Sequence, residues 1–168
     1  MVVIQRARPV HTSGIVRVCI DANWATYSDL HSKAYIEGVI KEFYNEKRVL
    51  DEIERTSKEW GGWFVALDDE TVAGAAGGGM IDDEAAELYV IYLNPRRRNQ
   101  GIGTKLLEAV TEQQKQLGAK KQWVSVTEGN QKAIPFYEAK GFQFQHKKTG
   151  YANAEGEDDN TVRYLRNI

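Results

Sequence analysis

The sequence has little of what supports disulfides, metal sites or membrane spans. Its one cysteine, Cys19, can form no disulfide within the chain and no cysteine-based zinc site. The three histidines, His11, His31 and His146, are scattered without the spacing of metal ligands, so we expect no bound metal. No apolar run approaches the length of a membrane span, and the N-terminus has no apolar segment of signal-peptide type. These absences predict a cytoplasmic protein without a membrane partner.

Net charge is also small, at −2 with 22 Lys and Arg against 24 Asp and Glu. The chain therefore has no general positive field to attract nucleic acid, and any basic feature must act locally. A length of 168 residues fits one domain with a hydrophobic core, which we expect to span residues 1–168.

The spacing of apolar residues predicts the element order β-α-α-β-β-β-α-β-α-β-β. Helical spacing begins at His11, continues through residues 31–59 as one or two helices, and returns between Ile102 and Leu117. The last two strands, "FQFQHKK" and "TVRYLRN", flank an exposed hairpin loop, "NAEGEDDN". Consecutive hairpins combined with strand–helix–strand crossovers indicate an α/β fold, with one mixed β-sheet flanked by helices.

The segment "NPRRRNQGIGTKLLEAV", residues 94–110, has the chemistry of an anion site. A helix N-terminus has unpaired N–H groups and partial positive charge, Gly101 and Gly103 leave room for a ligand, and Arg96, Arg97 and Arg98 add cations. The same pattern also fits a tight turn beside a solvated charge run. The segment lacks the Gly-Lys-Ser/Thr of the Walker pattern and the third glycine of the dinucleotide fingerprint.

Two linked motifs resemble those of the GNAT N-acetyltransferase superfamily. "RNQGIG" is Arg-x-x-Gly-x-Gly between a strand and a helix, and "NQKAIPFYEAKGF" follows about 30 residues later. The resemblance covers about residues 60–145. It implies a GNAT-type sheet with splayed fourth and fifth strands, and acetyl-CoA as the co-substrate that donates an acetyl group to an amine.

The resemblance also implies where coenzyme A binds. The loop begins at Arg98, and backbone amides of Asn99, Gln100, Gly101, Ile102, Gly103 and Thr104 hold the pyrophosphate. The main chains of Ile91 and Leu93 pair with the pantetheine arm and the acetyl carbonyl. Asn130 adds a pantetheine hydrogen bond, caps a helix, or does both. Arg96 or Arg97 either reaches the 3′-phosphate or is solvated.

Acetyl transfer needs a proton donor for the departing thiolate and a base for the amine. The resemblance assigns the donor role to Tyr137, since a phenol titrates near 10 and a thiol near 8.5. Glu87 is the candidate base, because some members have a glutamate at this point of the strand, with Asp82, Asp83 and Tyr89 as competitors. Strand alternation predicts that Glu87 shares a face with Tyr89, Ile91 and Leu93.

Acceptor selection is expected in residues 21–45 and 150–160. Five aromatic residues either belong to the core or form an acceptor pocket: Trp24, Tyr27, Tyr35, Phe43 and Tyr44. Five acidic residues either attract a cationic amine or solubilise the surface: Asp29, Glu37, Asp82, Asp83 and Glu84. The expected partner is a small-molecule or peptide amine, and a homodimer stays open. The alternatives are a non-catalytic CoA-binding module and a nucleotide binder.

Overall fold

The computed structural model describes residues 1–152 and 158–168, so most of the predicted "NAEGEDDN" loop lies outside the described residues. Within them, the strands are β1 (Val2–Arg6), β2 (Trp63–Asp68), β3 (Thr71–Met80), β4 (Ala85–Leu93), β5 (Lys121–Thr127), β6 (Gln143–Ala152) and β7 (Asp158–Asn167). The helices are α1 (Thr12–Tyr27), α2 (Lys33–Phe43), α3 (Glu46–Glu54), α4 (Ile102–Gln116) and α5 (Ala133–Ala139). Residues 31–59 thus contain two helices, so three helices lie between β1 and β2 where the predicted order has two. The remaining elements follow the predicted order.

The seven strands form one sheet in the order β1-β2-β3-β4-β5-β7-β6. Neighbours are antiparallel except β4 and β5, which are parallel because α4 connects them as a crossover. The mixed α/β sheet predicted from the sequence is confirmed. Among the described helices, none combines the length and apolar character that a membrane crossing requires.

Helices cover both faces of the sheet, and successive residues of the central strands contribute in turn to two hydrophobic cores, one on each face. Ala66 and Ala73 belong to the cluster that α4 and α5 cover, together with Leu106 and Tyr137. Their neighbours along the same strands, such as Val65 and Val72, belong to the cluster that α1 and α3 cover. Successive strand residues point to opposite faces, so the sheet has an α4/α5 face and an α1/α3 face.

A β-bulge at Tyr89 interrupts the alternation of β4. Gly77 pairs with Val90 and Gly78 pairs with Leu88, which leaves Tyr89 as an extra residue. As a result Leu88, Ile91 and Leu93 all pack against the α4/α5 core. Glu87 instead pairs in register with Trp123 on the other face, beside the half-buried Arg163. The prediction that Glu87 shares a face with Ile91 and Leu93 is therefore wrong.

A buried polar network supports this irregular part of β4. The Gln114 side chain, on α4, donates a hydrogen bond to the Glu87 carbonyl at 3.0 Å. Its Oε1 accepts from Gln122 at 2.9 Å, and the Gln122 Oε1 accepts from Arg166 at 2.9 Å. Arg166 also donates to the Lys140 carbonyl, just after α5. Since buried polar groups are costly when unpaired, this chain fixes β4 and α5 relative to each other.

The parallel pairing of β4 with β5 is short. Only residues 85–88 of β4 pair with residues 121–124 of β5, and the pairs end at Leu88 and Val124. Beyond this point β4 stays paired with β3, whereas β5 stays paired with β7. The two strands therefore part and leave a cleft in the middle of the sheet, as the splayed strands predicted from the sequence require.

Substituting alanine for Gly78 tests the packing at the bulge. A Cβ at Gly78 would lie 2.1 Å from the Glu87 carbonyl oxygen and 2.8 Å from Gln114 Nε2. We expect Gly78→Ala to lower the free energy of unfolding by about 3 kcal/mol in chemical denaturation. The control is Gly38→Ala in the exposed part of α2, where a Cβ meets nothing within 4 Å and is expected to add about 0.5–1 kcal/mol. Equal stabilities for the two variants would contradict this packing.

Candidate active site

A cavity of about 900 Å³ occupies the cleft between the parted strands. Its walls are the diverging segments of β4 and β5, the loop before α4, the start of α4, the segment 130–137 and the C-terminal part of α1. The predicted residues that line it are Ile91, Leu93, Arg98, Asn99, Gly101, Ile102, Gly103, Thr104, Asn130 and Tyr137. Gln100 and Glu87 are predicted residues that do not line it.

One end of the cavity is the N-terminus of α4. The first i→i−4 hydrogen bond of this helix runs from the Lys105 N–H to the Gly101 carbonyl at 3.1 Å. The amides of residues 102–104 therefore come before the first helical hydrogen bond of this type. Ser32 and Asn45 cap α2 and α3 with their side chains, but Gly101 has none to offer. Its φ of +77° favours glycine, and a Cβ there would meet nothing within 4 Å. This end can accept an anion on its backbone amides.

The three arginines before the helix have different environments. Arg98 lines the cavity. Arg97 is ion-paired with Asp68 at 3.0 Å, and its Nε donates to the Gln100 side chain at 2.9 Å. These contacts hold the loop against the β2–β3 turn and draw the Gln100 side chain away from the cavity. Arg96 is exposed, and its backbone N–H donates a hydrogen bond to Asn94 Oδ1 at 2.9 Å.

The main chain of β4 supplies unpaired groups to the cleft. The Asn94 N–H donates to the Ala73 carbonyl of β3 at 2.9 Å. Backbone groups alternate in direction along a strand, so those of Tyr92 also face β3, while those of Ile91 and Leu93 face the cleft. Because β5 has diverged there, an extended ligand can pair with these two residues as a neighbouring strand would.

Tyr137 lies in the cavity wall on the α4/α5 face. The residue is only 5% exposed, and its ring packs edge-on against Phe136 and Phe142. Burial, with a smaller contribution from Tyr27, raises the pKa of Tyr137 well above its usual value, so the phenol stays protonated near neutral pH. The helix that positions it starts at Ala133, as Pro135 leads us to expect. Asn130 Oδ1 accepts from the Ala133 N–H at 3.2 Å while also lining the cavity.

Glu87 lies beside the point where the strands part, but on the α1/α3 face. Its Oε2 is 2.9 Å from Arg163 Nη1, and both side chains are largely buried. Tyr137 is on the opposite face, so the two candidate catalytic residues approach the cleft from different sides. Whether they act on a substrate stays a prediction.

The competing base candidates differ in their surroundings. Asp82 Oδ1 accepts from the N–H groups of Glu84 and Ala85, so its carboxylate forms the turn between β3 and β4. Asp83 is an exposed residue of the same turn. Tyr89 lines the cavity and is 47% exposed; burial and the charge of Glu87 raise its pKa. A phenol with a raised pKa is a weak candidate for a base near neutrality.

The predicted acceptor residues divide between the cleft and the surface. Tyr27 lines the main cavity, and a smaller chamber of about 90 Å³ adjoins it through Tyr27, Tyr92 and Thr127. Tyr35 lines this chamber, and Tyr44 packs edge-on against Tyr92 at 5.6 Å.

The other named acceptor candidates line neither space, and residues 153–157 of the predicted acceptor segment 150–160 lie outside the described residues. Trp24 is partly buried, whereas Phe43 is at the surface beneath Arg48. Glu37 and Glu84 form ion pairs with Lys33 and Lys120. Within residues 1–152 and 158–168, no cluster of His, Cys, Asp or Glu has the arrangement of a metal site.

Several residues of the site carry no local sequence signal. Thr26, Ser125, Thr127 and Lys132 line the cavity because the fold brings their elements there. Arg163 is far from Glu87 in the chain, and no short pattern indicates their pairing. The spacing of β5, read as a strand, predicts that Ser125 and Thr127 share a face, but only the parting of β4 from β5 exposes them to the cleft.

Comparison with known families gives one clear match. The sequence model described as the Acetyltransferase (GNAT) family matches residues 24–142. Among curated proteins, the spermidine N(1)-acetyltransferase of Thermoplasma acidophilum is 31% identical over 121 residues, which are 71% of this chain and 74% of that protein. The ribosomal protein bS18 alanine N-acetyltransferase of Escherichia coli is 30% identical over 87 residues, 51% of this chain and 58% of that protein.

Solved structures share the fold over the whole chain. The PaiA N-acetyltransferase from Thermoplasma acidophilum in complex with coenzyme A superimposes with a TM-score of 0.84 and 22% identity, covering 100% of this chain and 99% of that one. A GCN5-related N-acetyltransferase from Rhodopseudomonas palustris gives a TM-score of 0.79 at 14% identity, covering 99% of this chain and 95% of that one. At these identities the likeness establishes the fold.

The buried state of Tyr137 is testable by alkaline titration. Because burial raises its pKa, we expect the native protein and Tyr137→Phe to show the same number of ionising phenols up to about pH 11, followed by ultraviolet absorbance. Tyr89→Phe is the comparison, since it removes a half-exposed phenol. One fewer phenol titrating near pH 10 in Tyr137→Phe would contradict the buried position.

Proposed function

We propose that this protein, which belongs to the GNAT acetyltransferase family, transfers an acetyl group from acetyl-CoA to a primary amine of a small molecule or peptide. The observation that carries the proposal is the cleft between β4 and β5, with unpaired amides at one end and the Tyr137 phenol in its wall. A thioester with a long polar arm and a diphosphate matches such a cleft in chemistry. The complex of the PaiA structure with coenzyme A supports this assignment.

The cofactor contacts follow from the chemistry of each wall. The diphosphate would lie on the amides of residues 99–104, with Arg98, which lines the cavity, as a cation from the same loop. The pantetheine amides would pair with the free main-chain groups of Ile91 and Leu93, and Asn130 would add a further hydrogen bond. Gln100 would contribute through its backbone alone, because its side chain is bound to Arg97.

Acetyl transfer then uses the two faces of the sheet. The amine nitrogen attacks the thioester carbonyl, the C–S bond breaks, and the thiolate takes the proton of the Tyr137 phenol. On the other face, Glu87 takes the proton of the attacking amine directly or through a water. Starting from the ammonium form, the attacking nitrogen loses two protons in all. Glu87 passes one of them to solvent, and the other reprotonates Tyr137 in place of the proton given to the thiolate. The net products are an amide, free thiol and one proton from the ammonium.

The acceptor class rests on the relatives' names and on the shape of the site. The names of these relatives give spermidine and an alanine of ribosomal protein bS18 as acceptors, and both are acetylated on nitrogen. The α1/α3 face at Glu87 is where such an amine would approach. Tyr27, Tyr35 and Tyr92 would contact the acceptor beyond its amine, in the chamber beside the cleft.

Calorimetric titration tests cofactor binding. Arg98→Gln is expected to weaken CoA binding about tenfold, because it removes the cation beside the diphosphate. Arg55→Gln is the control: it makes the same charge change just after α3, where Arg55 is paired with Asp51, and should leave CoA binding unaltered. Thermal stabilisation by ATP or NAD but not by CoA would instead favour a nucleotide binder.

Thiol release from acetyl-CoA over a panel of polyamines, amino acids and N-terminal peptides tests turnover. We expect Tyr137→Phe to lower kcat by about 10²-fold with little change in KM for acetyl-CoA. Tyr89→Phe should keep most of the rate, and a comparable loss there would transfer the base role to Tyr89. Binding of CoA without turnover of any amine would leave a non-catalytic CoA-binding module.

A further inference from the structure

Arg163 occupies an unusual place on β7. Its neighbours Val162 and Tyr164 are buried in the α4/α5 core, so Arg163 itself points to the α1/α3 face. Only 14% of its side chain is exposed. A guanidinium that has lost this much water must be compensated by specific contacts.

Three contacts hold the Arg163 guanidinium in place. Its Nη1 lies 2.9 Å from Glu87 Oε2 and donates a hydrogen bond to Ser125 Oγ at 2.7 Å. Its central carbon lies 4.8 Å from the centre of the Trp123 ring. The plane of the guanidinium is thus fixed by a carboxylate, a hydroxyl and an aromatic face. A lysine ammonium, which is not planar, could not make all three contacts together.

These contacts span the point where the sheet opens. Glu87 is next to the last paired residue of β4, and Ser125 is the first residue of β5 beyond the last pair. Ser125 also lines the cavity. The guanidinium therefore connects β4, at Glu87, with β5, at Ser125, on the face of the sheet opposite Tyr137.

The ion pair fixes the direction of the Glu87 carboxylate. Oε2 lies 2.9 Å from Arg163 Nη1, and this contact limits the orientations that the carboxylate can take. A free glutamate on a strand samples several rotamers, and holding a proton acceptor in one orientation favours the reactive geometry. Removal of the guanidinium would release the carboxylate without removing it.

We propose that Arg163 is a positioning residue for acetyl transfer, which acts by orienting the Glu87 carboxylate beside the point where β4 and β5 part. This inference rests on the proposed function, in which Glu87 accepts the proton of the acceptor amine. Trp123 and Ser125 complete the support by fixing the guanidinium itself.

A double-mutant cycle on the full chain tests the proposal. The four proteins are the unmodified chain, Arg163→Gln, Glu87→Gln and the double variant, with kcat and KM measured by thiol release at saturating amine. We expect Arg163→Gln to lower kcat about tenfold with KM for acetyl-CoA unchanged, and to have little further effect once Glu87 is replaced. Arg163→Lys should restore part of the rate, since it keeps the charge beside Glu87.

The control is Lys147→Gln, which removes the cation of the Lys147–Glu128 pair on the neighbouring strand β6 and should keep the full rate. Thermal unfolding and CoA binding of each variant show whether the fold and the cofactor site are intact. A full rate in folded Arg163→Gln would overturn the positioning role. So would an equal fold-loss of kcat when Arg163→Gln is added to the unmodified chain and when it is added to Glu87→Gln. A full rate in Glu87→Gln would overturn it too, while the acetyltransferase itself would stand. Absence of turnover in the unmodified chain would instead remove the proposed function on which it rests.

Discussion

The parting of β4 from β5 is the constraint on which the rest of the site depends. Four residue pairs hold the strands together, and beyond Leu88 and Val124 each strand keeps its other partner. Backbone groups left unpaired inside a sheet are costly unless a ligand or water satisfies them. Where the strands part, the hydrogen bonds between β4 and β5 are missing, and the main-chain groups that they would use are available to an extended ligand. Glu87 lies where the opening begins, and Tyr137 lies in the cavity wall on the opposite face of the sheet.

The structure maintains this opening from both faces. On the α4/α5 face, the buried chain from Gln114 through Gln122 to Arg166 joins the Glu87 carbonyl to the end of α5. On the α1/α3 face, Arg163 joins the arms at Glu87 and Ser125. Because each polar group in these contacts has a partner, the cleft can stay open with few unsatisfied groups. Rigidity at the opening favours fixed distances from a bound thioester to the candidate proton donor, Tyr137, and to the candidate base, Glu87.

The sequence predicted the family and the mixed sheet, because the signals for these are local. The acetyltransferase prediction is confirmed by the family match, whereas the roles of Tyr137, Glu87 and the loop residues stay predictions. The face of Glu87 was predicted wrongly, since the single extra residue at Tyr89 reverses the alternation and only the pairing with Gly77 and Gly78 reveals it. Arg163 was missed because its partners come from two other strands.

A crystal structure of the protein with coenzyme A is the most direct test of the central claim. The account predicts diphosphate oxygens within hydrogen-bonding distance of the backbone amides of residues 101–104. It also predicts pantetheine amides paired with Ile91 and Leu93, and the sulfur beside the Tyr137 hydroxyl. Coenzyme A bound elsewhere, with the cleft between β4 and β5 empty of it, would contradict the account.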